Sequence, residues 1–322
     1  MINWAQQEFD AERFEMAYAS TSHCFDLSIF EMFYPLSIGK PVRLLENALA
    51  IESALAQDRK VLINTVPSSM RNLLDRGCNL EQVVMVNLAG ESFPVDLGQR
   101  LLQAGVEVRN LYGPSEDTTY STGYRLSADR KYTASIPIGR PISNTSAYIL
   151  DAYLHPVPVG IPGRIFLAGD GLATGYLNKP EKTMERFIDD PFKDGERMYD
   201  TGDWGKWLPD GNIDYLGRQD DQVKIRGYRI ELGEIEHVLS QFSVALQQVV
   251  LQVAEMGGDQ KLVAYYTTVQ AEPLDKSAMK AFLAERLPHF MIPNYFKELA
   301  AMPLNSNGKI DKKALPPILE DD

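Results

Sequence analysis

Apolar residues come in short, nearly continuous runs over the first third of this chain and in alternating or helix-spaced patterns after it. VLINTV at 61–66, VVMVNLAG at 83–90 and VEVRNLYG at 106–113 each run into Gly or Pro, as strands buried on both faces do. Between them, SSMRNLLDRG and PVDLGQRLLQAG have helical spacing and stop at Gly77 and Gly105, which are helix C-terminal signals. This alternation predicts an α/β body with a parallel sheet and binding loops at the carboxyl ends of its strands. The loops are LAGES and LYGPSEDTT. Ahead of the first run, 4–13 reads as a polar helix. From 136 to 216 the pattern changes to the short strands SAYILD, GRIFLAG and NIDYLG, parted by Pro- and Gly-rich pieces such as HPVPVGIPG. That spacing suits a small β-barrel or antiparallel sheet. Past 220 an α+β unit is predicted. Its first helix starts near Leu232 with Ile235, Val238, Leu239 and Phe242 on one face, and the strands QQVVLQVAE and KLVAYYTTV follow. A second helix at about 275–287 carries Met279, Phe282, Leu283 and Leu287, and the tail LPPILEDD reads as a linker.

With 322 residues, 44% of them hydrophobic, the chain can bury a sizeable core in two domains or one large one. A net charge of −12 argues against nucleic acid as a partner, because phosphate binding needs a basic surface. Cys24 and Cys78 lack metal-ligand spacing, so both are expected as buried thiols in a reduced, cytoplasmic setting. No apolar run approaches the roughly 20 residues that span a bilayer, and no membrane is expected. His23, His155, His237 and His289 are scattered and suggest no chemistry.

Four places carry candidate chemistry. In the glycine-punctuated stretch 198–236, Gly202, Gly205, Gly211, Gly217 and Gly227 read as turn residues among paired acids and spaced bases; composition alone allows a hairpin with solvated charges. Asp26 lies in the apolar stretch CFDLSIFEMF, where a buried carboxylate needs a cationic partner; the alternative is a helix N-cap. Glu116 follows a Gly-Pro turn at a strand end, suiting Mg²⁺ bridged to phosphates, or else a capped turn. Lys309 follows an Asn-Gly pair and is either a solvated turn lysine or a mobile cation.

TGD followed by GRQDDQVKIRGYRIELGEIE, with LYGPSEDTT, GRIFLAGDGLATGYLNKPEKTMERF, LPHFMIPNYF and LNSNGKIDKKAL, resembles the amino-acid adenylation domains of nonribosomal peptide synthetases, in the superfamily of adenylate-forming enzymes that includes acyl-CoA synthetases and luciferases. The resemblance covers essentially the whole chain. It implies a partial adenylate-forming core at 1–219, with a flavodoxin-like parallel βαβ subdomain at 1–135 and a small β-barrel at 136–219. A small mobile α+β domain at 220–322 follows, hinged at Asp220. The implied reaction joins an amino acid to ATP, releasing pyrophosphate, and then passes the acyl group to the phosphopantetheine of a peptidyl carrier protein. Asp203 would hold the ribose hydroxyls, Arg218 the ribose or phosphate, and Asn110 the adenine edge. Tyr112, Gly113 and Tyr215 would complete the adenosine site, with Glu116 as the Mg²⁺ ligand and Lys309 on the substrate carboxylate and α-phosphate. Ser115 stands where the family usually has Thr.

By the same resemblance the amino-acid pocket is Asp26, Leu27, Phe30, Thr65, Asn87, Ala89, Leu111, Thr119 and Tyr120, with Lys309. Asp26 would neutralise the substrate ammonium. The bulk of Phe30, Leu111 and Tyr120 implies a small neutral amino acid, and the set is similar to those of alanine-activating domains. No TSGTTGxPKG phosphate loop is present, so an N-terminal part of the domain is expected as a partner, alongside the carrier protein and a small activator protein. Two rival readings are a catalytically silent interaction module and an acyl-CoA ligase.

Overall fold

The structure, a computed structural model, describes residues 1–218, 222–256, 259–269, 274–303 and 310–318. It divides into two compact units, Met1–Gln219 and Asp220–Asp322.

The first unit opens with α1 (Ile2–Glu8), β1 (Met16–Ala19), α2 (Leu27–Ser37), β2 (Val42–Leu44), α3 (Ile51–Leu55) and β3 (Val61–Thr65). There follow α4 (Pro67–Asp75), β4 (Val83–Leu88), α5 (Val95–Gln103), β5 (Glu107–Tyr112), β6 (Thr122–Arg125) and β7 (Arg140–Pro141). The strands form one sheet in the order β2-β1-β3-β4-β5-β6-β7, parallel from β2 to β5 and antiparallel beyond. The five parallel strands have the flavodoxin order, with the chain reversing direction across the sheet between β1 and β3; open α/β sheets bind ligands at that switch. Both faces are covered. Ile63, Val86 and Val108 face a cluster holding Met70, Leu73, Leu97 and Leu101 from α4 and α5. Their neighbours Leu62, Met85 and Leu111 face Trp4, Phe9, Phe30 and Tyr34 from the α1 and α2 side. That two-sided burial is why the strands read as unbroken apolar runs.

The helix expected over 4–13 ends at Glu8. Phe9 is extended, and Ala11–Arg13 forms a 3₁₀ turn capped by the Asp10 carboxylate. Trp4, Ala5 and Phe9 are buried, so the segment is not polar all round. Strands β1 and β2 were not anticipated; MAYA and VRL are too short to show a period.

The second sheet contains β8 (Thr145–Leu150), β9 (Gly163–Gly169), β10 (Phe187–Asp189), β11 (Arg197–Trp207) and β12 (Ile213–Arg218), with α6 (Pro180–Arg186) before β10. Its order is β10-β11-β9-β8, with β12 also paired to β11, and every pairing is antiparallel. Glycines that read as turns, Gly202 and Gly205, lie inside β11. Gly202 has φ +73°, and the register against β9 shifts between Asp200 and Trp204. A bulge takes up the left-handed residue without ending the strand.

In the second unit β13 (Gln222–Ile225) and β14 (Tyr228–Glu231) form a hairpin turning at Arg226 and Gly227. Both turn residues have positive φ, as a two-residue hairpin turn matched to strand twist requires. After α7 (Leu232–Ser240) come β15 (Leu246–Met256), β16 (Asp259–Thr268), α8 (Lys276–Ala284) and β17 (Tyr295–Glu298), the last parallel to β16. One face of this sheet packs Leu251, Leu262 and Phe296 with Ile235, Leu239, Met279 and Leu283. The other packs Val250, Val263 and Tyr265 with Met302 and Leu315, joined by Ile310 and Ile318. The tail expected as a linker is therefore part of this core as far as Ile318, and the Tyr265 hydroxyl donates to the Pro316 carbonyl at 2.8 Å.

Candidate active site

The carboxyl ends of β3, β4 and β5 deliver Thr65, Asn87, Ala89 and Leu111 to one edge of the parallel sheet, opposite the first turn of α2. Leu27, Phe30, Ala89, Leu111 and Tyr120 share one apolar cluster. The Phe30 and Tyr120 rings meet edge to face at 5.3 Å between centroids. Thr65, Asn87 and Thr119 are buried beside this edge. The Asn87 amide is wholly buried with neither Nδ2 nor Oδ1 hydrogen-bonded, a state that a buried ligand group or water would relieve.

Asp26 is half-buried. It occupies the N-cap position of α2, as the alternative reading expected, but its side chain makes no capping bond to the helix. Instead the Ser115 hydroxyl donates to Asp26 Oδ2 at 2.5 Å, and Thr119 Oγ1 donates to the Asp26 carbonyl at 3.2 Å. These bonds tie the start of α2 to the LYGPSEDTT loop. The wholly buried acid of CFDLSIFEMF is Glu31, one turn further on. It accepts from the Ser20 and Thr21 amides at 2.9 and 3.0 Å, from Thr21 Oγ1 at 2.5 Å and from Asn64 Nδ2 at 3.2 Å. Burial raises its pKa, and these donors pull the other way. Sequence reasoning passed over Glu31, although Ser28, Glu31 and Pro35 share the buried side of α2 at the i, i+3, i+7 spacing of a core face. Cys24, expected buried, is exposed in the turn before α2, whereas Cys78 is buried; burial pushes the Cys78 thiol up.

A second group forms where β5 meets β11 and β12. Asp203 Oδ2 accepts from the Tyr112 hydroxyl at 2.5 Å, while Oδ1 accepts from Arg218 at 2.9 Å and from the Tyr215 hydroxyl at 3.3 Å. Arg218 also donates to the Thr201 carbonyl. Side-chain exposure of Arg218 and Asp203 is 8% and 3%, so this is an ion pair held out of water whose charges need each other. Burial, then the Asp203 charge, pushes the Tyr112 phenol well above its ordinary range. The Tyr112 and Tyr215 rings lie 5.9 Å apart. Asn110 gives its Nδ2 to the Ile136 and Pro137 carbonyls, a bond that fixes the chain beyond β6.

Glu116 sits in a 3₁₀ turn, Ser115–Asp117, held against the segment after β9: Ala173 N donates to the Glu116 carbonyl and Thr118 Oγ1 to the Gly171 carbonyl. The Tyr176 hydroxyl donates to Glu116 Oε1 at 2.6 Å and lies 3.2 Å from the Tyr199 hydroxyl. Neither tyrosine was singled out in the sequence. Asp117, also passed over, is 1% exposed with both oxygens unpaired; burial raises its pKa to about 6. Gly113 permits the return of the loop, since a Cβ there would lie 2.5 Å from the Thr119 carbonyl oxygen and 2.7 Å from Ser121 N. Lys309 and Asp220 lie outside the described residues. Among the described residues no three His, Cys, Asp or Glu side chains cluster as metal ligands, and no helix is long and apolar enough to cross a membrane.

A family profile described as AMP-binding enzyme matches residues 1–177. A linear gramicidin synthase from Brevibacillus parabrevis is 49% identical over 319 residues, 98% of this chain and 6% of that protein. Among solved structures, holo-PA1221, an NRPS protein containing adenylation and PCP domains bound to a vinylsulfonamide inhibitor, superposes with a TM-score of 0.83 at 26% identity, over 94% of this chain and 53% of that one. The Vibrio cholerae adenylation domain AlmE, solved with glycyl-adenosine-5′-phosphate, gives 0.83 at 26% identity, over 96% and 60%. The chain thus spans a small part of that gramicidin synthase and just over half of these solved chains.

Proposed function

The chain belongs to the AMP-binding enzyme family, in the company of adenylation domains of nonribosomal peptide synthetases, and from that premise we propose that it activates a small neutral amino acid, alanine foremost, as its adenylate. The observation that carries the reading is the buried carboxylate of Asp203, gripped by Arg218 and two phenols. A fixed, charged acceptor beside two aromatic rings suits a ribose and its base, and the ribose hydroxyls would compete with the phenols for it. Gly113 lets the backbone come close at the strand end, and Asn110 is assigned to the adenine edge. Arg218 would bind the ribose or phosphate.

No protein nucleophile is required. The substrate carboxylate attacks the α-phosphorus in line, pyrophosphate leaves, and the protein contributes position and charge. Asp26, fixed by Ser115, takes the substrate ammonium. Leu27, Phe30, Thr65, Asn87, Ala89, Leu111, Thr119 and Tyr120 enclose the side chain, and the lack of charge among them disfavours a charged one. Lys309 is assigned to the carboxylate and α-phosphate, and Asp220 to the hinge between half-reactions. Glu116 offers one carboxylate with a phenol on it. That donor set fits Mg²⁺, which takes one or two carboxylates beside phosphate oxygens and waters; the ion would neutralise phosphate charge. Transfer of the acyl group to phosphopantetheine on a carrier protein is the second half of the proposal, supported by the adenylation–PCP pairing named for a structural neighbour.

The test is amino-acid-dependent ATP–pyrophosphate exchange by the full-length protein across a panel of amino acids. Exchange is expected with alanine, and with glycine or serine at about 10–200-fold lower efficiency, the discrimination one small group supplies in such a pocket. Exchange with no amino acid would favour a silent interaction module.

A further inference from the structure

A pocket of about 340 Å³ opens where α1, β5, β6, β7 and the turn before β12 meet, and none of the residues assigned to the adenylation site lines it. Three guanidinium groups do, those of Arg109, Arg125 and Arg140, together with Trp4, Glu8 and Asn212. A Cβ on Gly123 would meet the Trp4 ring at 3.3 Å, so the bare backbone of β6 is what lets the indole form a wall there. Arg109 is the buried member, its side chain 3% exposed. Its guanidinium sits over the Phe9 ring at 4.2 Å, pairs with Glu107 and, at 3.6 Å, with Glu8, and leaves Nε buried without a hydrogen-bond partner. Glu107 also takes Arg13 and, at 2.7 Å, Arg125. The Arg140 guanidinium donates to the Asp210 carbonyl and pairs with no carboxylate among the described residues, the Asp210 carboxylate being held by Arg130 at 2.8 Å. Four guanidinium groups, of Arg13, Arg109, Arg125 and Arg140, thus stand against two carboxylates, Glu8 and Glu107, in a chain whose net charge is −12. Guanidinium groups do not shed protons to relieve such a surplus.

We propose that this pocket binds a phosphate-class dianion, inorganic phosphate or pyrophosphate, on Arg109, Arg125 and Arg140. Two negative charges match the surplus. Donors that arrive from three strands, with the Asn212 amide beside them, suit a group with three or four oxygens better than a carboxylate, which offers two. A guanidinium fork also meets two phosphate oxygens at once. The buried Nε of Arg109 is the donor with most to gain, since an unpaired buried N–H is costly. The bound anion ties α1 and the first sheet to the turn before β12. The proposal goes beyond the adenylation reading and does not depend on it.

The test is isothermal titration calorimetry of the full-length protein with phosphate, pyrophosphate and acetate, at fixed ionic strength and without divalent cations. Phosphate or pyrophosphate is expected to bind roughly tenfold or more tighter than acetate, the worth of one further charge-assisted hydrogen bond, and the tighter of the two identifies the source. Arg125→Ala and Arg140→Ala, both at exposed positions where folding is not at stake, are each expected to weaken binding about tenfold for the same reason. Acetate binding as tightly as the phosphates overturns the proposal. So does the absence of binding, and so does binding undiminished in both arginine variants, which would place the anion elsewhere on the protein. Loss of amino-acid-dependent exchange would bear on the adenylation reading alone, because the titration reads the anion directly.

Discussion

Asp117 is the residue at which burial and charge conflict most openly. Its carboxylate has no hydrogen-bond partner, and a Cβ on Gly171 would stand 2.4 Å from Oδ1, so neither a larger neighbour nor much water fits there. Its folded pKa, near 6, is raised from an ordinary 3.8. An acid of this kind favours the folded state while it holds its proton. That contribution is complete below about pH 4, falls as pH rises through the folded pKa, and is gone above it. Asp117→Asn should therefore raise stability at pH 8 by about 3 kcal/mol, taking about 1.4 kcal/mol for each pH unit of difference, and bring no gain at pH 4. Chemical denaturation at both pH values checks it; equal effects at the two would mean that the carboxylate is not strained. The acid lies in a motif whose neighbour Glu116 drew attention from the sequence, yet burial depends on the approach of a segment more than fifty residues away. The same holds for Glu31. Helical spacing could have placed it on the buried face of α2, but its backbone donors on Ser20 and Thr21 come from the loop after a strand too short to be read.

Among elements, the turn that follows β5 carries the most constraint. Gly113 leads into a loop in which Thr118 and Thr119 have φ +53° and +71°, two consecutive non-glycine residues in a region that costs each of them energy. The bonds from Thr118 to the Gly171 carbonyl and from Thr119 to the Asp26 carbonyl hold them there, and Ala173 N ties down the Glu116 carbonyl just before them. Gly113→Ala would push a methyl group into the backbone at 119–121. Stability should fall by about 1–3 kcal/mol, as overpacking does, and amino-acid-dependent exchange should fall further than stability explains, because Thr119 and Tyr120 move with that backbone. Thermal melts and exchange rates on the same sample separate the two effects. The GPSE turn and the strand before it were legible, since Gly-Pro after an apolar run is strong punctuation. Strand β11 was not. Its glycines look like turn residues until β9, β10 and β12 are seen to pair along its length.

Over the whole chain, each of the two units has its own core. Residues 220–322 surround their three-stranded sheet with helices on one face and the C-terminal segment on the other, and about 100 residues are enough for an independent domain. Expressed alone, this segment is expected to unfold cooperatively in a single transition by circular dichroism. A non-cooperative melt would mean that the first unit completes its core. Removing residues after 309 should abolish the cooperative transition, because Leu315 covers Val263 and Tyr265; a true linker could be cut away without effect. The sequence by itself determined the parallel βαβ body, the change to antiparallel strands, the α+β unit and the family, because these rest on local periodicity, turn chemistry and contiguous motifs. Only the tertiary structure decided which acid is buried, which phenols reach Asp203, and that Arg109 and Arg140 share a pocket with Trp4. Those facts depend on strands dozens of residues apart arriving side by side, and no local pattern of apolar and polar residues encodes that distance.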